Sequence, residues 1–235
     1  MTTTLITGAN KGLGYETARR LLAEGHTVYL GSRDMERGRR SAETLGARLV
    51  QLDVTEDDSV AAAATTVEAE GGLDVLINNA GIEARKPDGS VPAPAETTAD
   101  HVREAYETNV FGPVRVIHAF LPLLRRSGSP VIVNISSGLA SLAMATDKEF
   151  PGSWYPGLAY PSSKTAVNML TVQYAKAFPE IRINAVEPGY TATDLNGRTG
   201  TQTVEEGAEV IVRMATVGPG GPTGTYSHLG GPLPW

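Results

Sequence analysis

Short apolar runs alternate along this chain with longer stretches whose apolar residues recur at helical spacing. The first run, Leu5-Ile6-Thr7, leads into a helical stretch from Leu13 to Glu24. His26 to Leu30 and the polar segment Asp34 to Leu45 repeat that pair. Arg48 to Val54 precedes a helix around Val60 to Ala64, with Thr55 and Asp58 as its expected capping pair. A fourth run, Leu73 to Ile77, ends at Asn78-Asn79-Ala80-Gly81. Beyond a loop containing Pro87, Pro92 and Pro94, the spacing predicts one long helix from about Asp100 to Arg126. Then come Val131 to Ile135, a helix from Tyr160 to Phe178, a strand from Ile181 to Val186, a helix from Val204 to Ala215 and a last strand near Thr225 to Leu229.

This order predicts an α/β fold. Residues 1–235 form a single doubly wound, Rossmann-type domain with a parallel sheet of about seven strands and helices on both faces. No linker divides the chain, and the Gly218 to Gly224 cluster reads as a loop before the last strand. Ligands of such sheets bind beyond the carboxyl ends of the strands, so the residues that follow each strand carry the chemistry.

Composition narrows the partners. A hydrophobic fraction of 41% and a charged fraction of 20% are ordinary for a globular domain. The net charge is −6 and basic residues adjoin in pairs at most, as at Arg39-Arg40 and Arg125-Arg126, which argues against a nucleic-acid partner. The absence of cysteine rules out disulfides and thiolate metal sites. His26, His101, His118 and His228 show no ligand spacing, so no metal is expected. No stretch has the length of a membrane span, and Thr4-Leu5-Ile6-Thr7 already reads as a strand where a leader would need a basic and then an apolar region. A cytoplasmic location is the expectation.

The first strand is followed by Thr7-Gly8-Ala9-Asn10-Lys11-Gly12-Leu13-Gly14. Glycines there let the backbone approach a pyrophosphate, and the helix that starts near Leu13 points free N–H groups at it. A glycine turn without a ligand is the alternative when this motif is taken alone. Asn78 to Gly81 after the fourth run, Tyr160-Pro161-Ser162-Ser163-Lys164, and Pro188-Gly189 after the sixth run stand in series with it. In order and spacing, from about Leu5 to Asp194, the chain resembles the short-chain dehydrogenase/reductase family, and within it the NADPH-dependent carbonyl reductases.

The resemblance implies a dinucleotide held by Gly8, Asn10, Lys11, Gly12, Leu13 and Gly14, with Asp53 and Val54 beside the adenine. It places Asn79, Ala80 and Gly81 in the cofactor cleft, the Tyr160 and Lys164 side chains at the nicotinamide ribose, and Pro188, Gly189, Thr191 and Thr193 at the nicotinamide. At the end of the second strand, Ser32 stands where NAD-dependent members usually carry an aspartate, and Arg33 follows it. A guanidinium matches phosphate oxygens in a fork, so Arg33, with Lys11, points to NADP (NADPH). Asp34, one residue on, is the competing acidic candidate.

Carbonyl reduction needs a hydride on carbon and a proton on oxygen, from a donor within hydrogen-bond reach. Tyr160 and Lys164 lie on one helical face, where an ammonium favours the phenolate. The resemblance makes Tyr160 the acid and Lys164 its partner. Ser137 becomes the donor to the substrate oxygen, with Ser136 its structural neighbour, and Asn109 the support of a proton relay. The implied function is hydride transfer from NADPH to a small-molecule ketone or aldehyde. The alternatives are an alcohol or polyol dehydrogenase running oxidatively, with the same residues, and a non-catalytic nucleotide-sensing regulator, which needs no tyrosine-lysine pair.

Two departures stand out. Ser137 and Tyr160 are 23 positions apart, longer than in many members, which defines an insertion at about 141–158 carrying Met144, Phe150, Trp154 and Tyr155. Clustered exposed aromatics make an adhesive patch, so Phe150, Trp154 and Tyr155 are expected partly buried near the cleft, as pocket wall or as the loop's own core. The segment after Thr193 is short, which predicts an open pocket. The insertion also predicts a monomer or dimer in preference to a tetramer.

Overall fold

A computed structural model describes residues 2–235. One eight-stranded sheet runs through it in the order β3-β2-β1-β4-β5-β6-β7-β8. The strands are β1 (Thr3–Ile6), β2 (Thr27–Ser32), β3 (Arg48–Gln51), β4 (Val75–Asn78), β5 (Val131–Ile135), β6 (Arg182–Val186), β7 (Tyr226–His228) and β8 (Gly231–Pro232). β1 to β7 are parallel, as the alternating pattern implies, and β8 adds an antiparallel edge not foreseen in the sequence. The order reverses between β1 and β4, which opens a cleft beyond their carboxyl ends.

The helices are α1 (Gly12–Ala23), α2 (Met35–Leu45), α3 (Asp57–Ala69), α4 (Ala99–Tyr106), α5 (Gly112–Leu124), α6 (Leu142–Ala145), α7 (Ala159–Ala177) and α8 (Val204–Ala215). Successive strand residues face opposite sides, so each strand feeds two cores. Leu5, Leu76, Ile132 and Ile183 pack with Val67 of α3 and Ile117 and Phe120 of α5. Ile6, Val75, Ile77 and Val133 pack with Leu21 of α1 and Ile211 and Met214 of α8. Each such buried aliphatic side chain stabilises the fold by about 1.5–3 kcal/mol relative to exposure. Two fully lined faces explain why the strands read as near-continuous apolar runs.

Three local expectations change. The single helix from Asp100 to Arg126 is α4, a π-helical turn at Glu107–Phe111, then α5. Thr55 and Asp58 do not cap α3: the helix starts at Asp57, and Thr55 hydrogen-bonds Asp53 instead. Trp154 is 78% exposed, against the expectation of burial, while Phe150 and Tyr155 are half-buried. Tyr155 is held inward by Glu83 and Phe150 lies against Gly138, whereas Trp154 has no such partner among the described residues.

Candidate active site

The cofactor end begins at the turn between β1 and α1. Gly8 and Gly12 take φ of +64° and +57°, left-handed values that favour glycine. Gly14 is required by proximity: a Cβ there would lie 2.5 Å from Asn79 Nδ2 and 2.9 Å from Ala9 Cα. The turn is buttressed from β4. Asn79 donates through Nδ2 to the carbonyls of Thr7 (2.8 Å) and Gly8 (3.2 Å), and the Thr7 hydroxyl accepts from the amides of Asn79 (3.0 Å) and Ala80 (2.9 Å). Asn79 therefore shapes the turn with its side chain. The N-cap of α1, Lys11, offers no side-chain cap, and the first turn holds no acidic residue, so its amides face the cleft free of an internal acceptor. Leu13 turns its side chain into the core. The Asn10 carbonyl accepts from the Ser41 hydroxyl at 2.9 Å.

These features fit a bound dinucleotide phosphate: a glycine cradle that a side chain would fill, at an uncapped helix start. Arg33 lies exposed beside Thr55, Glu56 and Ile82 in an open cleft. Asp34, the competing candidate, is engaged within the protein. Its carboxylate caps α2, accepting from the amides of Glu36 (3.1 Å) and Arg37 (3.0 Å), and those bonds hold it below the usual carboxylate range. Asp53 is engaged by Thr55, and Val54 packs against Gly112. Lys11 extends across the cleft to Asp194 at 2.9 Å.

At the far end, β5 delivers two serines of different standing. Ser136 is buried and its hydroxyl donates to Asn168 Oδ1 at 2.6 Å. Ser137 is half-buried, and its hydroxyl accepts from the Leu139 amide at 3.3 Å and lies close enough to the Tyr160 phenol to oppose the rise in its pKa. Tyr160 is the second residue of α7, and Lys164, one turn on, sits 5.7 Å from its ring centroid. The Lys164 ammonium donates to the Ile135 carbonyl at 2.7 Å. Asn109, in the π turn, uses its side chain fully: Oδ1 accepts from the Ile82 amide (2.8 Å), and Nδ2 donates to the Ile82 carbonyl (2.9 Å) and the Ser163 hydroxyl (3.0 Å). Pro113, four residues on, has no N–H to offer the Asn109 carbonyl. Asn109 and Lys164 flank Gly81, where a Cβ would meet Asn109 Oδ1 at 3.4 Å and Lys164 Nζ at 3.5 Å.

Burial is the main influence on the titrating groups. It raises the Tyr160 phenol well above its ordinary range, with Glu83 adding to the rise and Ser137 opposing it. It pulls Lys164 down to about 8. The phenol is thus kept protonated by the protein's own groups, and the lysine loses its charge far more readily than an ordinary lysine.

Beyond β6, the Thr191 hydroxyl turns inward to the Pro188 carbonyl (3.1 Å) and receives Gln202 Nε2 (3.1 Å), whereas Thr193 lies beside Gly12 at the rim. Sequence reasoning passed over three groups here. Glu187 accepts from the Gly189 amide at 2.8 Å and also from that of Gly138, tying the β5 and β6 ends together, and burial raises its pKa. Glu83 receives the phenol of Tyr155 and pairs with Arg85. Tyr226 reaches the Ser137 carbonyl. An acidic residue at the end of an apolar strand was the available signal for Glu187, since such a group must find donors; Glu83 and Tyr226 carried none.

Comparison with known proteins follows the same lines. A family model described as short chain dehydrogenase matches residues 2–204. (+)-Neomenthol dehydrogenase of Arabidopsis thaliana is 34% identical, with 90% of each chain covered. (−)-Isopiperitenone reductase of Mentha piperita is 32% identical, covering 94% of each. The NADPH-bound carbonyl reductase from chicken fatty liver superposes with a TM-score of 0.84 at 28% identity, covering 100% of this chain and 99% of that one. The alignment to the Arabidopsis protein spans 277 positions against 235 residues here, so that relative carries segments this chain lacks.

Proposed function

The chain belongs to the short-chain dehydrogenase family, and from that premise we propose that it reduces a ketone or aldehyde with NADPH. The observation that carries the reading is the convergence of Ser137, Tyr160 and Lys164 at the end of β5, with the phenol near the serine hydroxyl and the ammonium 5.7 Å from its ring centroid. The relatives' names, neomenthol dehydrogenase, isopiperitenone reductase and, for the NADPH-bound neighbour, carbonyl reductase, support redox chemistry on small alcohols and carbonyl compounds and NADPH as the cofactor.

Gly8, Gly12, Gly14 and the first amides of α1 would hold the pyrophosphate, with Asn10 and Leu13 contributing backbone. Arg33 and Lys11 would take the 2′-phosphate, and Asp53 and Val54 would border the adenine. Ala80 and Gly81 would line the cleft floor, Lys164 and Tyr160 would meet the nicotinamide ribose, and Pro188, Gly189, Thr191 and Thr193 would border the nicotinamide. Bound there, the reduced nicotinamide supplies the hydride.

The chain's residues do the rest. Ser137 donates to the substrate oxygen and stabilises charge that develops on it. Tyr160, held protonated, gives that oxygen its proton. Lys164, cationic below about pH 8, stabilises the phenolate left behind. Asn109, whose side chain holds the Ile82 peptide and the Ser163 hydroxyl next to Lys164, supports the relay that reprotonates Tyr160 through Lys164. Phe150, packed beside Gly138, and Tyr155 give the substrate side an apolar wall, which favours hydrophobic carbonyls. We place the enzyme in the cytoplasm, with which a cysteine-free chain is compatible, and as a monomer or dimer.

The test is a panel of cyclic ketones, aldehydes and quinones supplied with NADPH or NADH. Consumption of NADPH with at least one class, preferred over NADH, is expected. No consumption of either cofactor with any class contradicts the proposal.

A further inference from the structure

The hydroxyl of Ser137 has to be aimed, and a short turn at a strand end does not aim it unaided. Its peptide is held from a distant part of the chain. Tyr226 of β7, 89 residues on, donates its phenol to the Ser137 carbonyl at 2.5 Å. The Ala140 amide supplies a second bond to the same oxygen at 2.9 Å. Tyr226 is 1% exposed, so its hydroxyl meets neither solvent nor substrate, and Ser137 is the partner it has.

Tyr226 is itself backed. The ring of Trp235 stacks on it at 5.4 Å with 25° between the planes. The strap that carries Trp235 is pinned at both ends, by the Leu233 amide to the Tyr226 carbonyl (2.8 Å) and by the Ala143 amide to the Trp235 carbonyl (3.2 Å). The second of these joins the strap to α6, which follows the Ser137 turn directly. Trp235, Tyr226, Ser137 and Tyr160 thus form a continuous chain of contacts from the surface to the phenol.

We propose that Tyr226 is a positioning residue for Ser137, and that Trp235 holds Tyr226 in place for that task. The inference rests on the assignment of Ser137 as donor to the substrate oxygen. Tyr226 touches no reacting atom. It fixes the backbone from which the serine hydroxyl projects, and misplacement of such a donor by a fraction of an ångström weakens the transition state more than the ground state. Burial, Glu187 and Tyr160 all raise the Tyr226 phenol, so it stays a donor at every working pH.

The experiment is a double-mutant cycle on the full chain with NADPH and an accepted ketone. Tyr226→Phe keeps the ring and its stack and removes only the donor. It is expected to lower kcat about five- to tenfold, the scale of a weakened oxyanion donor, with KM and NADPH affinity within about twofold. In a Ser137→Ala background the same change is expected to cost nothing further, because no hydroxyl remains to be aimed. Trp235→Ala, at a half-exposed position that folding tolerates, is expected to reproduce part of the loss, and Trp235→Phe to restore it. An unchanged kcat in Tyr226→Phe, or an equal loss in both backgrounds, overturns the positioning role. A slow Ser137→Ala enzyme beside a fast Tyr226→Phe enzyme overturns that role alone; a fast Ser137→Ala enzyme overturns the site assignment and the positioning role together.

Discussion

Lys11 and Asp194 meet in an ion pair at 2.9 Å across the mouth of the cleft, joining the glycine turn to the loop after β6. Lys11 is the side chain that the sequence offers to a cofactor phosphate, and Asp194 is an anion already beside it. Asp194 also receives Arg198 at 3.0 Å. Both cations hold the aspartate below its usual range, so it stays charged through the working pH range.

Releasing Lys11 is therefore expected to favour the cofactor. Asp194→Asn should tighten NADPH binding about two- to fivefold, the range an exposed pair commonly covers, and leave thermal stability nearly unchanged. Fluorescence titration of NADPH checks it, and weaker binding in the variant would show that Asp194 organises the site.

Cofactor choice separates two adjacent residues. Arg33→Asp should weaken NADPH about tenfold or more, as expected for a lost charged hydrogen bond, and shift preference toward NADH. Asp34→Ala should leave that preference alone and cost about 1 kcal/mol of stability through the lost α2 cap. Cofactor kinetics and melting curves on both variants decide the matter; a preference change in Asp34→Ala would contradict the capping role.

The pH profile should report Lys164. Its pKa is lowered to about 8 by burial, so the ammonium is present below that pH and is lost above it. Accordingly kcat/KM for NADPH, which follows the free enzyme, should be level below pH 7 and fall as pH rises through about 8. The raised Tyr160 phenol remains protonated across the same interval and does not set this limb. A limb that persists unchanged in Lys164→Met would exclude the assignment.

The aromatics of the 141–158 segment divide by partner. Trp154→Ala should change stability by less than about 0.5 kcal/mol, as exposed substitutions do, and leave turnover intact. Tyr155→Phe should cost about 1 kcal/mol or more, because the largely buried Glu83 carboxylate loses a donor. Denaturant melts compare them, and the reverse order would overturn the division.

What was legible in the sequence is what local chemistry decides. β5 and α8 match their expected bounds, since Pro130 closes one side of the strand and Thr203 with Glu206 builds a capping box on the helix. Tyr160, Lys164 and Ser137 were singled out by the family resemblance, which the tyrosine-lysine spacing alone does not replace, and the fold gathers them at the end of β5. The π turn was not, because Glu107 to Phe111 has ordinary helical composition and its geometry depends on packing around Asn109. β8 has two residues and a proline, too little to register as a strand. Trp154 looked like core because composition alone does not say which of three neighbouring rings has a partner. The Asn79 side chain and Tyr226 act through contacts with turns far away in sequence, and only folding brings them there.

The central claim is that Tyr160 delivers the proton to a substrate carbonyl while the rest of the site binds the cofactor without it. Tyr160→Phe tests it most directly, with NADPH affinity and ketone reduction measured on the same preparation. Removal of the general acid should lower kcat about a hundredfold or more, with the NADPH dissociation constant within about twofold of wild type. Turnover near the wild-type rate in that variant would contradict the account.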